Sequence, residues 1–359
     1  MDNREISREL IKMSDVYNDE KLYFDNTIGE KIFGKIILNR IGNIAYRNLL
    51  NAGCSKFGEY SKIFEVMYKD NISKAELCVS NINKVSNILK NADFPYALLK
   101  GAYLITNIYN LGDRVSNDVD ILINEKNIGA CKKLLQSNGF RQGEVVNGEF
   151  KEASRMDIIM SKMNFGETIP FVKMSEEGYI NVDINFSLDY KPMEDDGIIT
   201  KMLENRVEIP IENATLVTLE PADFLIHLCL HLYKEATTWD WVERRKDLNL
   251  YKFNDIYNVL KKNVNDKLPD ILVTKINNYG VKKECYYALY NALNIYGGLG
   301  DIDGYQKVLE KIKPEDITYL KEIVSPMDKK VYKYNMDFID WFASDNRVEH
   351  LEYSHPFVL

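Results

Sequence analysis

Apolar residues recur at helical spacing through the N-terminal part of the chain. Ile36, Ile37, Ile41, Ile44 and Tyr46 alternate with polar residues on that period. Ile72, Leu77, Val79, Ile82, Val85, Ile88 and Leu89 carry it to a turn at Asn91–Asp93. The pattern then changes. Pro95 precedes a short apolar run, Tyr96 to Leu99, which reads as a strand. A helix follows at about 102–109 and is broken at Asn110–Gly112. A second buried strand is expected over 118–123 and a helix over 127–137, stopped by Asn138–Gly139. Short strands are expected at 140–146, 155–160, 169–174 and 179–186. From Pro221 a long apolar helix runs to about Lys234. Amphipathic segments follow at about 255–262, 270–279, 285–296 and 305–312. The last stretch is rich in aromatic residues, which read as packing. The elements imply an α/β fold: a mixed sheet over residues 93–218, preceded by a helical region at 1–92 and followed by a helical domain at 219–359.

The second strand carries the chemistry. It reads DVDILI, with Asp118 and Asp120 separated by one apolar residue. On a strand, residues two apart point to one face, so the two carboxylates would stand side by side. Carboxylates so placed repel each other unless a cation lies between them. A third acid, Asp183, sits in the apolar run YINVDINFSL (Tyr179 to Leu188), where a neighbouring strand would bring it to the same cluster. Three carboxylates suit Mg²⁺, or Mn²⁺, with two ions expected. Such ions keep waters and complete their shells with a substrate's phosphates.

The set LLKG, then arginine, then DVDILI, then INVDINFSL and later HLCLHLYKE resembles a bacterial nucleotidyltransferase family of the DNA polymerase β-type nucleotidyltransferase superfamily. The resemblance covers roughly residues 41–260, with Lys-Gly standing where the superfamily has Gly-Ser. It implies a nucleotidyltransferase-type mixed sheet and transfer of a nucleoside monophosphate from a triphosphate to an acceptor, with release of pyrophosphate (an EC 2.7.7-type reaction). Asp118, Asp120 and Asp183 would be metal ligands and catalytic acids, with Asp183 also a base for the acceptor hydroxyl. Lys100 and Gly101 would form the turn facing the triphosphate. Glycine there lets backbone amides approach phosphate. Lys100, Arg114 and Ser116 would contact phosphate, and His231 the nucleotide, from a helix covering the cleft. Two departures bear on phosphate binding. Ala102, not a hydroxyl residue, follows Gly101, and the stretch from Ala102 to Asn117 is long for the motif. The alternative reading is a non-catalytic nucleotide-binding module, or a toxin–antitoxin or defence regulator on the same fold.

Composition narrows the partners. The net charge of −8 argues against a broad nucleic-acid footprint. It favours a small-molecule or protein acceptor, with an RNA end the remaining option. The basic run Arg244–Lys246 reads as a solvated helix face. Five scattered cysteines without a C-x-x-C pattern suit reduced core residues and a cytoplasmic protein. No signal-peptide pattern opens the sequence, and no apolar run is long enough for a membrane span. His227 and His231 lie four apart on the Pro221 helix, but the intervening Leu-Cys-Leu lacks the glutamate of a zinc-protease motif.

Overall fold

The computed structural model describes residues 2–17, 22, 24, 26–53, 59–165, 167–175, 178–188 and 197–357. Cys54 lies outside the described residues. Contacts divide the chain into two compact units, residues 71–224 and residues 1–70 with 225–359.

The first unit is built on an eight-stranded mixed sheet. In chain order its strands are β1 (Tyr96–Leu98), β2 (Val119–Ile123), β3 (Arg141–Val146), β4 (Glu149–Glu152), β5 (Phe171–Ser175), β6 (Gly178–Asn185), β7 (Val207–Ile211) and β8 (Ala214–Thr218). Their spatial order is β4-β3-β5-β6-β2-β1-β8-β7. β2 lies between antiparallel β1 and parallel β6. Every residue of β1 and β2 is buried, which explains why neither alternates and why Asp120 is the one break in the apolar run of β2. Thr218 donates its hydroxyl to the Leu98 carbonyl at 2.7 Å and so ties β8 to the end of β1. The helix Ile128–Ser137 ends as the sequence suggests, with Gly139 taking φ +86°.

Two local expectations differ from the structure. Residues 155–160, read as a strand, belong to the helix Arg155–Phe165. The reason is a reciprocal cap: Asp157 N donates to Ser154 Oγ at 3.1 Å, while Ser154 N and Oγ donate to Asp157 Oδ2 at 3.2 and 2.6 Å. That cap also engages Asp157 away from the sheet's acids. The segment after β1 begins as a helical turn at Gly101–Tyr103 and then winds as a π-helix over Leu104–Ile108.

The second unit is mainly helical and carries a three-stranded antiparallel sheet of β9 (Glu322–Ser325), β10 (Lys330–Tyr334) and β11 (Leu351–Pro356), in the order β11-β10-β9. The hydrophobic pattern does not announce these short strands. Of the aromatic residues of the C-terminal stretch, Tyr334, Trp341 and Phe342 are buried, whereas Tyr353 is exposed. Tyr334 stacks on Trp341 with ring centroids 4.1 Å apart, and Trp341 is fully buried. Two buried ion pairs lie in this unit. Arg347 Nη2 meets Asp247 Oδ1 at 2.6 Å, and Lys252 Nζ meets Glu235 Oε2 at 2.5 Å. Four cysteines, Cys78, Cys131, Cys229 and Cys285, are buried and unpaired as disulfides in the two units. Among the described residues no helix is long and apolar enough to cross a membrane.

The Arg347–Asp247 pair makes this unit's stability testable. Asp247→Ala would leave a guanidinium buried without its carboxylate, at a cost of about 3–5 kcal/mol. The three tryptophans, Trp239, Trp241 and Trp341, all belong to this unit, so their fluorescence in a urea titration reads it alone. The midpoint should fall clearly, and an unchanged midpoint would contradict the assignment.

Candidate active site

The site grows from the C-terminal end of β1. Leu99 N donates to the Asp120 carbonyl at 3.0 Å, extending the pairing with β2 by one bond. The chain then turns at Lys100, which adopts φ 36° and ψ −111°. This is a conformation L-residues rarely take, and it persists only where the surroundings enforce it. Gly101 follows and opens the helical turn. A Cβ on Gly101 would stand 2.6 Å from Ser116 Cβ and 2.7 Å from Ser116 Oγ. Glycine is therefore required by the close approach of the 110–118 loop.

β2 starts at Val119, so Asp118 immediately precedes it and Asp120 is its second residue. In the parallel β2–β6 pair, Val119 registers with Val182 and Asp120 with Asp183. Residues in register on adjacent parallel strands project to the same face, about 4.8 Å apart between strands. The three acids named from the sequence are thus gathered at one edge of the sheet by two neighbouring strands.

Each carboxylate has a different setting. Asp120 is buried, and its Oδ1 accepts from Lys100 Nζ at 3.0 Å and from Asn185 Nδ2 at 3.2 Å. Asp118 Oδ1 accepts from Ser116 Oγ at 2.7 Å. Burial and the Asp120 charge raise the Asp118 carboxyl above the usual carboxylate range, partly offset by Ser116, Lys100 and Arg114. Asp183 Oδ1 is buried and finds no hydrogen-bond partner among the described residues. Burial, followed by the charges of Asp120, Asp118 and Glu167, pushes the Asp183 carboxyl up to about 8. Burial first, and the crowding of like charges second, thus disfavour ionisation of these two acids.

The donors are hard oxygens, and one buried carboxylate oxygen lacks a partner, which suits a divalent ion. Among the described residues, no three histidine, cysteine or acidic side chains close around one point as a finished cage. The orphaned Asp183 oxygen and the carboxylates around it are hard-oxygen donors of the kind a Mg²⁺ ion with water and phosphate ligands takes.

The other residues named from the sequence fall as follows. Lys100, Gly101 and Ser116 lie against the acids by the contacts above. Arg114 donates its Nη1 to the Val115 carbonyl at 2.7 Å, and its charge is felt at Asp118. His231 belongs to the other unit, on the helix Pro221–Ala236, where its Nε2 stands 3.4 Å from Glu235 Oε2. Its ring planes with His227 lie 13° apart at a centroid distance of 6.4 Å.

Three residues at the site were not singled out by sequence. Asn185 lies two positions after Asp183 on β6, so strand alternation places it on the acid face, a signal that was available. Glu167 joins the cluster through a bridge to Asn185 from the segment before β5, which no local pattern reveals. Cys78, on the helix Tyr60–Leu89, has its thiol pushed up to about 11, chiefly by burial, and hydrogen-bonds the Ser116 backbone. It is a protonated, inert neighbour at neutral pH.

Residues 35–297 match the profile of a family described as uncharacterised nucleotidyltransferase. No curated protein matches the sequence. An antigenic nucleotidyltransferase-like protein from Paracoccidioides brasiliensis is structurally similar over 67% of this chain and 93% of its own, at 15% identity and a TM-score of 0.40. A likeness that remote adds no weight to the site. The family match spans well over half of the chain, across the whole of the eight-stranded sheet and its acid cluster, and the protein belongs to the uncharacterised nucleotidyltransferase family.

Proposed function

We propose that this protein is a metal-dependent nucleotidyltransferase that moves a nucleoside monophosphate from a triphosphate to an acceptor, releasing pyrophosphate. The observation that carries the reading is the register of β2 with β6, which sets Asp120 beside Asp183 with Asp118 two residues away. Family membership supports the reaction class. The acidic net charge favours a small-molecule or protein acceptor.

Asp118, Asp120 and Asp183 would hold Mg²⁺ or Mn²⁺, which supplies charge neutralisation and alignment for an in-line displacement at the α-phosphate. The chain's own groups do the rest. The Lys100–Gly101 turn offers backbone amides and an ammonium to the triphosphate, and Arg114 and the Ser116 hydroxyl lie next to it. Asp183, once ionised, takes the proton from the acceptor hydroxyl.

Two outcomes test this reading. The Asp118→Asn, Asp120→Asn double variant should lose incorporation of α-labelled nucleotide by at least about a thousandfold, the scale of losing a charge-stabilising group. Label transferred from the γ position instead would make the protein a kinase-type phosphotransferase, and undiminished α transfer would refute the assignment.

The second concerns pH. The Asp183 proton, retained up to about pH 8 in the folded protein, must leave when an ion binds. Affinity for Mg²⁺ should therefore rise with pH and level off near 8, with a proton released below that value. The same shift acts on stability. The folded carboxyl holds its proton above the unfolded value of 3.8, so its contribution is full below that pH and is lost as pH rises through about 8. Calorimetric titration in buffers of different ionisation enthalpy counts the proton. An affinity independent of pH between about 6.5 and 8.5 would contradict the expectation.

A further inference from the structure

The mainly helical unit contains a cleft that the proposed reaction does not use. Its volume is about 840 Å³, within the span of small-molecule sites. Every lining residue belongs to this unit, whereas the three acids belong to the other. The walls come chiefly from the helix Lys282–Ile295, the segment 317–321, the end of β10 and the start of the helix Phe338–Ala343. Tyr290, Tyr334, Phe338, Ile317 and Ile339 give the cleft apolar and aromatic faces. Tyr334 is fixed at both its polar and its apolar part. Its hydroxyl donates to the Leu320 carbonyl at 3.0 Å, and its ring stacks on buried Trp341. This wall is therefore preformed.

One polar group in the lining is unmet. Asn291 is 2% exposed. Its Oδ1 accepts from Asn294 Nδ2 at 3.3 Å, while its own Nδ2 finds no acceptor among the described residues. The bond from Asn294 settles which end of the Asn291 amide is left over, and that end is a donor. A buried donor without an acceptor destabilises a fold and calls for a cause. Asn294, one helical turn on and exposed, lines the same cleft and presents its Oδ1 as an acceptor. A donor beside an acceptor is the complement of an amide edge, in which a carbonyl and an N–H stand next to each other. Charge is mostly accounted for within the protein. Arg4 Nη2 lies 3.1 Å from Asp337 Oδ2, and Lys333 Nζ lies 3.1 Å from Glu322 Oε1. Lys321 is exposed to solvent. The cleft thus asks for hydrogen bonds and apolar contact rather than for an ion.

We propose that this cleft is a binding site for a neutral, flat aromatic molecule that carries an amide edge, either a carboxamide or a ring lactam. The ligand's carbonyl accepts from Asn291 Nδ2, and its N–H donates to Asn294 Oδ1. Its rings lie against the aromatic walls. Asn291 is the residue that discriminates, because a ligand without the amide leaves the buried donor unmet. The inference stands apart from the nucleotidyltransferase reading, which concerns the other unit.

The test uses two probes at neutral pH: quinolin-2-one, a two-ring lactam, and quinoline, which has the same rings without the amide edge. Binding of each to the full chain is titrated by saturation-transfer nuclear magnetic resonance. The wild-type protein should bind the lactam roughly tenfold more tightly than quinoline, the scale of a newly met hydrogen bond. Asn291→Leu keeps the volume but removes the donor, so it should lower lactam affinity about tenfold and leave quinoline binding unchanged. The same variant should keep or raise the urea midpoint read by tryptophan fluorescence, since it removes an unmet buried donor. A purely structural role for Asn291 would lower that midpoint instead. If Asn291→Leu fails to fold by circular dichroism, Asn294→Ala at the exposed position gives the reading, with the lactam's advantage over quinoline reduced by roughly threefold or more. Equal affinity of the wild-type protein for the two probes, no binding of the lactam, or a lactam advantage that survives in the folded variant would overturn the proposal.

Discussion

The parallel pairing of β2 with β6 is the constraint on which the candidate site depends. It sets Asp120 level with Asp183, and because Asp118 lies two residues before Asp120, three carboxylates meet at one edge of the sheet. Their mutual repulsion and partial burial then dictate the surroundings. A lysine reaches Asp120, an asparagine from β6 shares the same oxygen, and a serine hydroxyl serves Asp118. What remains unmet is an oxygen of Asp183, whose carboxyl is pushed up to about 8 first by burial and then by the charges of Asp120, Asp118 and Glu167. A site with this imbalance is one that gains by receiving a cation.

The turn that faces the acids is shaped by a second constraint, close approach. Ser116 lies so near Gly101 that a side chain there would collide with it, and Lys100 absorbs the strain of the reversal. The residue after the glycine is buried Ala102, without a hydroxyl. A hydroxyl is nevertheless present beside the turn, delivered by Ser116 from the following loop, where it donates to Asp118. The long stretch between Gly101 and Asp118 is what allows the loop to fold back far enough to do this.

Much of the sheet is legible in the sequence, for physical reasons that also mark the limits. β2 and β6 are short apolar runs interrupted by acids, a pattern that buried strands tolerate only for cause, so both stand out. The helix Arg155–Phe165 is misread because its apolar residues suit either period, and the deciding signal is the Ser154–Asp157 cap. The strands β9 to β11 escape notice because four to six residues of mixed aromatic and charged character carry no strong period. The acids themselves are readable, whereas their register is not, since it is settled by pairing between segments some sixty residues apart. Asn185 follows from strand alternation once Asp183 is placed. Glu167 and the reach of Lys100 to Asp120 depend on tertiary contact and have no local signature.

The central claim is that one end of the β2–β6 pair receives a divalent ion together with a nucleoside triphosphate. It is tested most directly by anomalous scattering from crystals of the protein grown with Mn²⁺ and a non-hydrolysable triphosphate analogue. The account predicts a manganese peak within bonding distance of the carboxylates of Asp118, Asp120 and Asp183, with the analogue's phosphates on the same ion. A bound analogue with no peak among those carboxylates, or with its metal held elsewhere, would contradict it.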